Sequence, residues 1–542
     1  MRKQTIKILS MLFLIASICI TSPTLKAVDV QVAEDSVNIK VTGLAEGSTV
    51  KGYKIIDYNF DYDKQQTIAP TYKWNEKVKD WVSDNHSSYI SNETGEEGAV
   101  TEEYSKKTQD SLNQFIDQMA KAIVNNTITH TTSFEESNSS KEVLFEDKAN
   151  GAYLLIIENG VDIYNPVVVN AIPTHKGSIY VNADPYVVNL KSSTPSIESE
   201  LVESDRAYEA LNYNIGDTIH YSMTIDVPKY SENAIHKKIQ LVDDLSDMVT
   251  LDNATIKVYG KNSSNTETLI DSSKYTLESK LVDIVNNSIT NDLIIKFDDY
   301  SNINSYSKIV VKYDAMLNDT ATVGTAIINN ARMNYNNKQF TDGGSYKSSS
   351  DNVSVYTYGM EITKVDKEDT SIVLSGAEFE LYRGNITTKD VNKLIKMVKV
   401  ADGDYRIATE TEVASTPVTV NASGKLKISG VDAGNYTLFE TKAPVGYNLP
   451  NAPLNITITD DPIDGDVTGT VNSSNITDSA GYIIFNITNS KGFTLPETGG
   501  MGTFIFTLTG LSLIGLGIFF FFIILFKRKK EDEEDEEKHV LV

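Results

Sequence analysis

The strongest constraint on this 542-residue chain is an uncharged apolar run near its C-terminus. Positions 501–526 contain no charged residue, and the run is longer than the roughly 20 residues that a helix needs to cross a bilayer. Backbone groups in lipid must be satisfied within the segment, so the run can only be a helix. Four basic residues follow at 527–530 and predict a cytoplasmic C-terminus. We therefore expect one C-terminal transmembrane helix.

Residues 1–27 have the pattern of a secretory signal peptide. Basic residues near Met1 precede an apolar stretch at 8–20, and small or polar residues lead to Ala27. The stretch is too short to span a membrane. The single cysteine, Cys19, lies in this segment, so the exported chain should contain none. Disulfides and cysteine-ligated metal sites are thereby excluded.

Charge and residue spacing exclude several function classes. The chain carries 74 acidic against 49 basic residues, which argues against nucleic acid as a partner because phosphate binding needs basic patches. No histidine pair has metal-ligand spacing, and no catalytic motif of an enzyme is visible. The acid-rich segments 57–63 and 460–466 do not fit an EF-hand loop, and we interpret both as surface loops. We predict no metal, no cofactor and no enzymatic activity on an external substrate.

A pentapeptide, Leu495-Pro496-Glu497-Thr498-Gly499, stands immediately before the apolar run. Together with the run and the basic tail, it resembles the cell-wall sorting signal of Gram-positive surface proteins. The resemblance implies that a sortase cleaves between Thr498 and Gly499 and passes the Thr498 carbonyl to an amine. That amine would belong to another subunit or to a peptidoglycan cross-bridge. The implied location is the cell wall of a Gram-positive bacterium.

The exported part has the pattern of an all-β chain. Short alternating strands separated by polar turns favour tandem immunoglobulin-like β-sandwich domains. One helix is expected in the first domain because apolar residues follow a 3.6-residue period there: Leu112, Phe115, Ile116, Met119 and Ile123. The predicted division is a signal peptide at 1–27, β domains at 28–190, 191–357 and 358–490, and a sorting signal at 491–542.

The third domain carries several blocks of a recognisable pattern. Residues 358–367 (YGMEITKVDK), 375–382 (SGAEFELY) and 434–447 (GNYTLFETKAPVGY) resemble the B-type repeat domain of collagen adhesins, which occurs widely in Gram-positive pilins. In that family a lysine on the first strand and an asparagine on the last strand form a spontaneous isopeptide bond, assisted by a glutamate. The matching lysine is Lys364, and the matching glutamate is Glu440.

Strand alternation selects the asparagine. Lys364 shares a strand face with Met360 and Ile362, as expected for a core position. On the last strand Asn489 shares its face with the apolar residues Ile483, Phe485 and Ile487, whereas Asn486 falls on the other face. Asn489 is therefore the predicted partner, and Asn486 is the runner-up. The alternative is that Lys364 extends from a sheet edge and forms an ordinary salt bridge with Glu440.

Burial explains how the three groups could react. Desolvation lowers the pKa of a lysine and raises that of a glutamate, so both can be neutral together. The neutral Lys364 amine would then be a nucleophile, and a protonated Glu440 could polarise the amide of Asn489 and shuttle protons as ammonia leaves. Fixed proximity supplies most of the acceleration in such intramolecular reactions.

The second domain matches a related pattern less completely. Residues 216–221, 241–245 and 329–335 resemble the A-type fimbrial isopeptide domain, with Asp243 as the matching acid and Asn329 as the matching amide. Ser199 stands where that family has its lysine. We therefore expect no cross-link in this domain, unless a neighbour such as Lys191 supplies the amine.

Lys191 has a second possible role. Backbone pilins share a Tyr-Pro-Lys-Asn motif at the end of the first domain, and its lysine joins the Thr of the next subunit. Residues 188–192 occupy this position but keep only the lysine. Lys191 is thus the candidate intersubunit lysine, and an ordinary linker lysine is the alternative.

These features favour a structural protein. The first hypothesis is a pilus subunit, polymerised and wall-anchored through Thr498, whose partners are sortase and other copies of itself or other pilins. The alternative is a monomeric wall-anchored adhesin or ancillary pilin that binds a host or partner-cell surface. A wall-anchored enzyme is the weakest hypothesis.

Overall fold

The computed structural model describes residues 33–138, 140–278, 292–341, 346–461, 463–492 and 501–538. The predicted signal peptide at 1–27 and the pentapeptide from Leu495 to Gly499 lie outside the described residues. Within them, strands dominate the regular structure and one long apolar helix stands at the C-terminal end. The prediction of tandem β-sandwich domains with one C-terminal apolar helix is confirmed.

The first sandwich contains the predicted helix. Its elements are β1 (Ser36–Thr42), β2 (Ser48–Asp61), β3 (Gln66–Trp74), α1 (Lys79–Asn85), α2 (Glu102–Ser105), α3 (Gln109–Val124), β4 (Phe134–Ser137), β5 (Glu142–Ala149), β6 (Gly151–Asn159), β7 (Ile163–Tyr164), β8 (Val167–Ala171), β9 (Thr174–Lys176), β10 (Ile179–Val181) and β11 (Tyr186–Asn189), with a 3-10 turn at Ser87–Tyr89.

Helix α3 shows why the sequence period was informative. All five residues of the 3.6-residue pattern are buried, and the Thr108 side chain caps the first turn by accepting from the Ser111 amide. The sheet β3-β2-β6-β8, to which β4 also pairs, lies between two cores, one shared with the helices and one shared with the sheet β11-β1-β5. The shorter α1 and α2 were not predicted, because one or two turns are too short to establish a period.

The acid-rich segment 57–63 was wrongly interpreted as a surface loop. Its first five residues belong to strand β2, and Tyr58 and Phe60 are buried. The alternation of aspartate or asparagine with aromatic residues has the period of a strand with one buried face. The segment thus positions aromatic side chains in the core.

The second sandwich packs two six-stranded sheets, β14-β13-β16-β22-β18-β19 and β15-β24-β23-β17-β21-β20. The elements from this part of the chain are β12 (Ser192–Ser193), which pairs with β7, β13 (Ile197–Glu203), β14 (Arg206–Tyr208), β15 (Ala210–Asn212), β16 (Thr218–Asp226), β17 (Ile239–Asp244), β18 (Val249–Lys261), β19 (Glu267–Leu269), β20 (Thr276–Glu278), β21 (Leu293–Phe297), β22 (Lys308–Leu317), β23 (Ile327–Asn336) and β24 (Tyr346–Tyr356), with 3-10 turns at Ser272–Lys274 and Tyr300–Asn302.

The third sandwich is built from one continuous path of paired strands, β27-β28-β30-β25-β35-β34-β33-β32-β31-β26-β29. Its elements are β25 (Tyr358–Asp366), β26 (Glu378–Arg383), a 3-10 turn at Val391–Lys393, β27 (Met397–Ala401), β28 (Asp404–Ile407), β29 (Val418–Thr419), β30 (Lys425–Val431), β31 (Gly434–Lys442), β32 (Leu454–Thr459), β33 (Thr468–Val471), β34 (Ser474–Ser479) and β35 (Tyr482–Asn489). The first strand, β25, runs parallel to the last, β35.

Helix α4 (Met501–Lys538) follows the third sandwich. Its segment Phe504–Lys530 is long and apolar enough to cross a membrane by length and composition, and its side chains are exposed.

Neighbouring sandwiches contact each other through buried side chains and hydrogen bonds. After β23 the chain enters the first sandwich, where Phe340 is part of the helix-side core. The Asn337 side chain donates to the backbone carbonyl of Gly160 at 2.9 Å, and that of Gln339 donates to the Tyr164 carbonyl at 2.8 Å. The second and third sandwiches share one continuous apolar core.

Candidate functional site

The most unusual polar cluster lies in the core of the third sandwich. Lys364 on β25 and Asn489 on β35 are 0% and 2% exposed, and the Glu440 side chain on β31 is 4% exposed. Lys364 is buried because it continues the inward-facing series Met360 and Ile362. Parallel pairing aligns Lys364 with Ile487 and brings Asn489 to the same end of the strand pair.

The three side chains are in mutual contact. Nζ of Lys364 contacts Oδ1 of Asn489 and lies 3.1 Å from Oε2 of Glu440. Nδ2 of Asn489 donates to Oε1 of Glu440 at 2.7 Å and to the backbone carbonyl of Asn448 at 2.9 Å. The Phe379 ring, whose centroid is 5.8 Å from Nζ, provides an apolar wall.

Burial moves both ionisable groups of this cluster toward neutrality. Desolvation lowers the pKa of Lys364, although the nearby Glu440 opposes that change. Desolvation also raises the pKa of Glu440, against the opposing effect of Lys364. The arrangement can therefore present a neutral amine, a carboxylic acid and an amide in contact. That is the set of groups that amide exchange with loss of ammonia requires.

The structure brings together Lys364, Asn489 and Glu440. It places the runner-up, Asn486, on the exposed face of β35, where it is paired in register with Thr363. A surface salt bridge does not describe Lys364, because both its amine and the Glu440 carboxyl are inside the core. The Asn448 carbonyl was not found from the sequence, since a backbone acceptor in a loop has no residue signature.

The second sandwich contains a parallel cluster without an amine. The Tyr313 hydroxyl donates to the carboxyl of Asp243 and accepts from Nδ2 of Asn329 at 3.0 Å. Asp243 and Asn329 are 0% and 1% exposed, and burial raises the pKa of Asp243 to about 7. The Tyr221 ring stacks on Tyr313 with centroids 5.1 Å apart.

Ser199 does not complete this second cluster. It is 3% exposed, and its hydroxyl oxygen has no hydrogen-bond partner among the described residues. The Oδ1 atoms of Asp243 and Asn329 likewise have none there. Tyr313 was not predicted from the sequence, because its strand carries no motif that distinguishes it from an ordinary core tyrosine.

Lys191 lies at the surface between β11 and β12 and is exposed. It is therefore not the missing amine of the buried Asp243–Asn329 cluster. Its exposure beside the junction of the first two sandwiches is compatible with reaction with another molecule. In the part of the chain that the structure describes, no group of three or more His, Cys, Asp or Glu side chains is placed to hold a metal ion.

Comparisons with known proteins agree with this architecture. Residues 359–473 match the family described as a SpaA prealbumin-like fold domain, and residues 487–533 match the LPXTG cell wall anchor motif. The chain is 26% identical over 339 residues to the trypsin-resistant surface T6 protein of Streptococcus pyogenes serotype M6, a match that covers 57% of this chain and 56% of that protein. The chain thus spans little more than half the length of that relative.

A solved structure gives the corresponding likeness in three dimensions. The T6 backbone pilin of serotype M6 Streptococcus pyogenes, described as a modular three-domain structure, superposes with a TM-score of 0.54 at 19% identity, covering 86% of this chain and 100% of that one. This likeness shows the fold. The anchor motif and the apolar helix are those of a cell-wall-anchored surface protein of the Gram-positive type, and residues 359–473 match a SpaA domain.

Proposed function

We propose that the exported chain is a structural subunit of a sortase-assembled pilus, stabilised by an isopeptide bond between Lys364 and Asn489. The observation that carries the proposal is the buried contact of Lys364 on the first strand of the third sandwich, Asn489 on its last strand and Glu440 on β31. The wall anchor and the T6 homologue support the assignment to a pilus. Three unrelated polar groups would otherwise be costly to bury in one core.

The bond forms by amide exchange. The neutral Nζ of Lys364 attacks Cγ of Asn489, and the bond from Cγ to Nδ2 breaks. Protonated Glu440 donates its proton to Nδ2, which leaves as ammonia. Glu440 then takes a proton from the attacking nitrogen, so the carboxylic acid is restored. The products are one secondary amide and one ammonia, and no cofactor is consumed. The contact with Oε1 of Glu440 lies on the leaving nitrogen, where that proton must arrive.

The bond has a mechanical consequence. It links positions 125 residues apart, and closing a loop of that size contributes about 4 to 5 kcal/mol by analogy with a disulfide. Asn489 ends the last strand, close to the point where the chain leaves toward Thr498. Tension arriving through Thr498 therefore passes directly to the first strand and does not peel β35 away.

Polymerisation uses a different lysine. Sortase breaks the peptide bond between Thr498 and Gly499 and joins the Thr498 carbonyl to an amine of the next subunit, for which exposed Lys191 is the candidate. In the last subunit the acceptor is a peptidoglycan cross-bridge amine. In this proposal the chain is a substrate of sortase, and the reaction that it carries out itself is formation of the internal Lys364–Asn489 bond.

The test is polymer formation on the cell surface. Wild type should give a ladder of SDS-resistant high-mass species on an immunoblot, and Lys191→Ala should reduce it to a single wall-linked band. Lys176→Ala is the matched control, because Lys176 is an exposed lysine on β9 of the same sandwich. A single band in wild type would contradict the shaft assignment and favour a monomeric adhesin or ancillary pilin that binds a host surface.

A further inference from the structure

A buried carboxylate beside the cross-link site has no part in the amide exchange. Asp366 is 0% exposed, stands two residues after Lys364, and is the register partner of Asn489 across the parallel strands. A carboxylate in this position needs a structural reason, because an unpaired buried charge is strongly destabilising.

Its two oxygens have separate partners. Oδ1 accepts from the backbone amides of Glu368 at 2.7 Å and Asp369 at 3.2 Å, which fixes the turn after β25. Oδ2 accepts from the Tyr447 hydroxyl at 2.8 Å and lies 3.4 Å from Nζ of Lys491. The Tyr447 hydrogen bond, with the backbone donors, lowers the pKa of Asp366 to about 2, so the carboxylate is ionised at physiological pH.

The Oδ2 partners lie on two segments beside Asn489, one that contacts its side chain through the Asn448 carbonyl and one that follows it in the chain. Tyr447 belongs to the loop 444–448, and Lys491 belongs to the chain that leaves the sandwich. The two segments also pair through their backbones, since Asn448 donates to the Ser490 carbonyl at 3.0 Å and Gly492 donates to the Gly446 carbonyl at 2.8 Å. Asp366 thus holds both segments against the end of β25.

The loop in turn controls the Asn489 amide. The Asn448 carbonyl accepts from Nδ2 at 2.9 Å, while Oδ1 contacts Lys364. If the Asn489 amide were rotated by 180°, its NH₂ group would face the Lys364 amine. Its oxygen would face two acceptors, Oε1 of Glu440 and the Asn448 carbonyl. Correct orientation therefore depends on where residue 448 lies, and Tyr447 adjoins it.

We propose that Asp366, Tyr447 and Lys491 form a clasp that holds the Asn489 amide in the orientation for attack by Lys364. Asp366 is then a positioning residue for the cross-link. This inference rests on the proposed isopeptide bond and extends it, because the rate of bond formation would then also depend on residues other than Lys364, Asn489 and Glu440. Small displacements of reacting groups are known to slow such reactions by up to about a hundredfold.

The test follows cross-link formation in the full exported chain. Cells expressing each variant are pulse-labelled with heavy isotopes, and the labelled chain is isolated at intervals and weighed intact, where each cross-link removes one ammonia. Tyr447→Phe removes one hydroxyl from a partly exposed ring, and Asp366→Asn keeps the Oδ1 acceptor of the turn. Each should slow ammonia loss by about tenfold, with full reaction at long times.

The matched control is Tyr382→Phe, which removes a hydroxyl that donates to Glu380 at 2.7 Å elsewhere in the same sandwich. It should react at the wild-type rate. Melting temperatures distinguish positioning from a merely structural role. Tyr447→Phe and Tyr382→Phe are each measured in an unreactive Lys364→Ala background, where both should shift the melting temperature by the same amount. Only Tyr447→Phe should slow the reaction in the reactive chain.

The outcomes are distinct for the two proposals. Ammonia loss in wild type with an unchanged rate in Tyr447→Phe overturns the clasp and leaves the cross-link intact. No ammonia loss in wild type overturns the cross-link and the clasp with it. Slowed loss in Tyr447→Phe and Asp366→Asn, with an unaffected Tyr382→Phe control, supports both.

Discussion

The second and third sandwiches both bury an acid beside an asparagine amide, but only the third also buries an amine. In the third, Glu440 and Asn489 meet Nζ of Lys364. In the second, Asp243 and Asn329 meet the hydroxyl of Tyr313. Burial raises the pKa of the acid in both. The two sites therefore differ in the nucleophile, and we expect only the site with an amine to react.

The comparison also shows how a site without an amine can remain buried. The Tyr313 hydroxyl donates to one oxygen of Asp243 and accepts from the Asn329 amide, so these buried groups are held by hydrogen bonds alone. The remaining Oδ1 atoms have no partner among the described residues. We expect the stability of the second sandwich to depend on pH, since burial raises the pKa of Asp243 to about 7.

The largest expected effect is that of Lys364→Met, which would remove the proposed bond of the third sandwich. Methionine keeps the chain length and suits the apolar core, so the variant removes the amine without opening a cavity. We expect the free energy of unfolding of this sandwich to fall by about 4 to 5 kcal/mol. Hydrogen exchange of peptides from β25 and β35 measures it.

Lys442→Met is the control for that substitution. Lys442 is an exposed lysine of the same sandwich that pairs with Glu378, and an exposed pair contributes about 0 to 1 kcal/mol. Equal losses in the two variants would remove the distinction between the sandwiches, since the third would then hold no special bond.

The next effect is the pH dependence of the second sandwich. The folded state raises the pKa of Asp243 from 3.8 to about 7, so it binds a proton more tightly than the unfolded chain. Stability from this group is present below about pH 4 and is lost as the pH rises to about 7, a total of about 4 kcal/mol. Hydrogen exchange of β17 and β23 peptides at about pH 4.5 and pH 8 should show the loss.

Asp243→Asn supplies the comparison for this pH profile. The amide cannot titrate, so the exchange of the same peptides should become flatter with pH than in wild type. A wild-type profile that matches the variant would mean that Asp243 keeps an ordinary pKa, and would contradict the raised pKa that its burial implies.

The smallest effect concerns Ser199. Its buried hydroxyl has no partner among the described residues, so Ser199→Ala should leave the second sandwich unchanged or stabilise it by about 1 kcal/mol. Urea unfolding followed by exchange of β13 peptides tests this. A decrease of more than about 2 kcal/mol in its free energy of unfolding would show that the hydroxyl has a stabilising partner. It would contradict the view that Ser199 only occupies the position of a missing amine.

Local periodicity made much of the fold predictable. The 3.6-residue pattern identified α3, and two-residue alternation selected Asn489 over Asn486 before any contact was known. These signals are local, because a face is decided by a few neighbouring residues. The prediction for the acid-rich segment was wrong because acidic residues are typical of loops, whereas here they alternate with the buried Tyr58 and Phe60 along a strand.

The rest of the site depended on distant contacts. Tyr313, the Asn448 carbonyl and Asp366 each act through partners that the fold brings close from elsewhere in the chain. A tyrosine on an alternating strand has the same local pattern whether its hydroxyl meets a carboxyl or a carbonyl. Only the register of β25 with β35 shows that Asp366 lies opposite Asn489.

The most direct test of the central claim is the intact mass of the exported chain, followed by mapping of its tryptic peptides. We predict a mass one ammonia below that of the sequence, with Lys364 joined to Asn489 and no second loss from the Asp243–Asn329 site. A mass equal to that of the sequence, or a cross-link that uses Asn486, would contradict it.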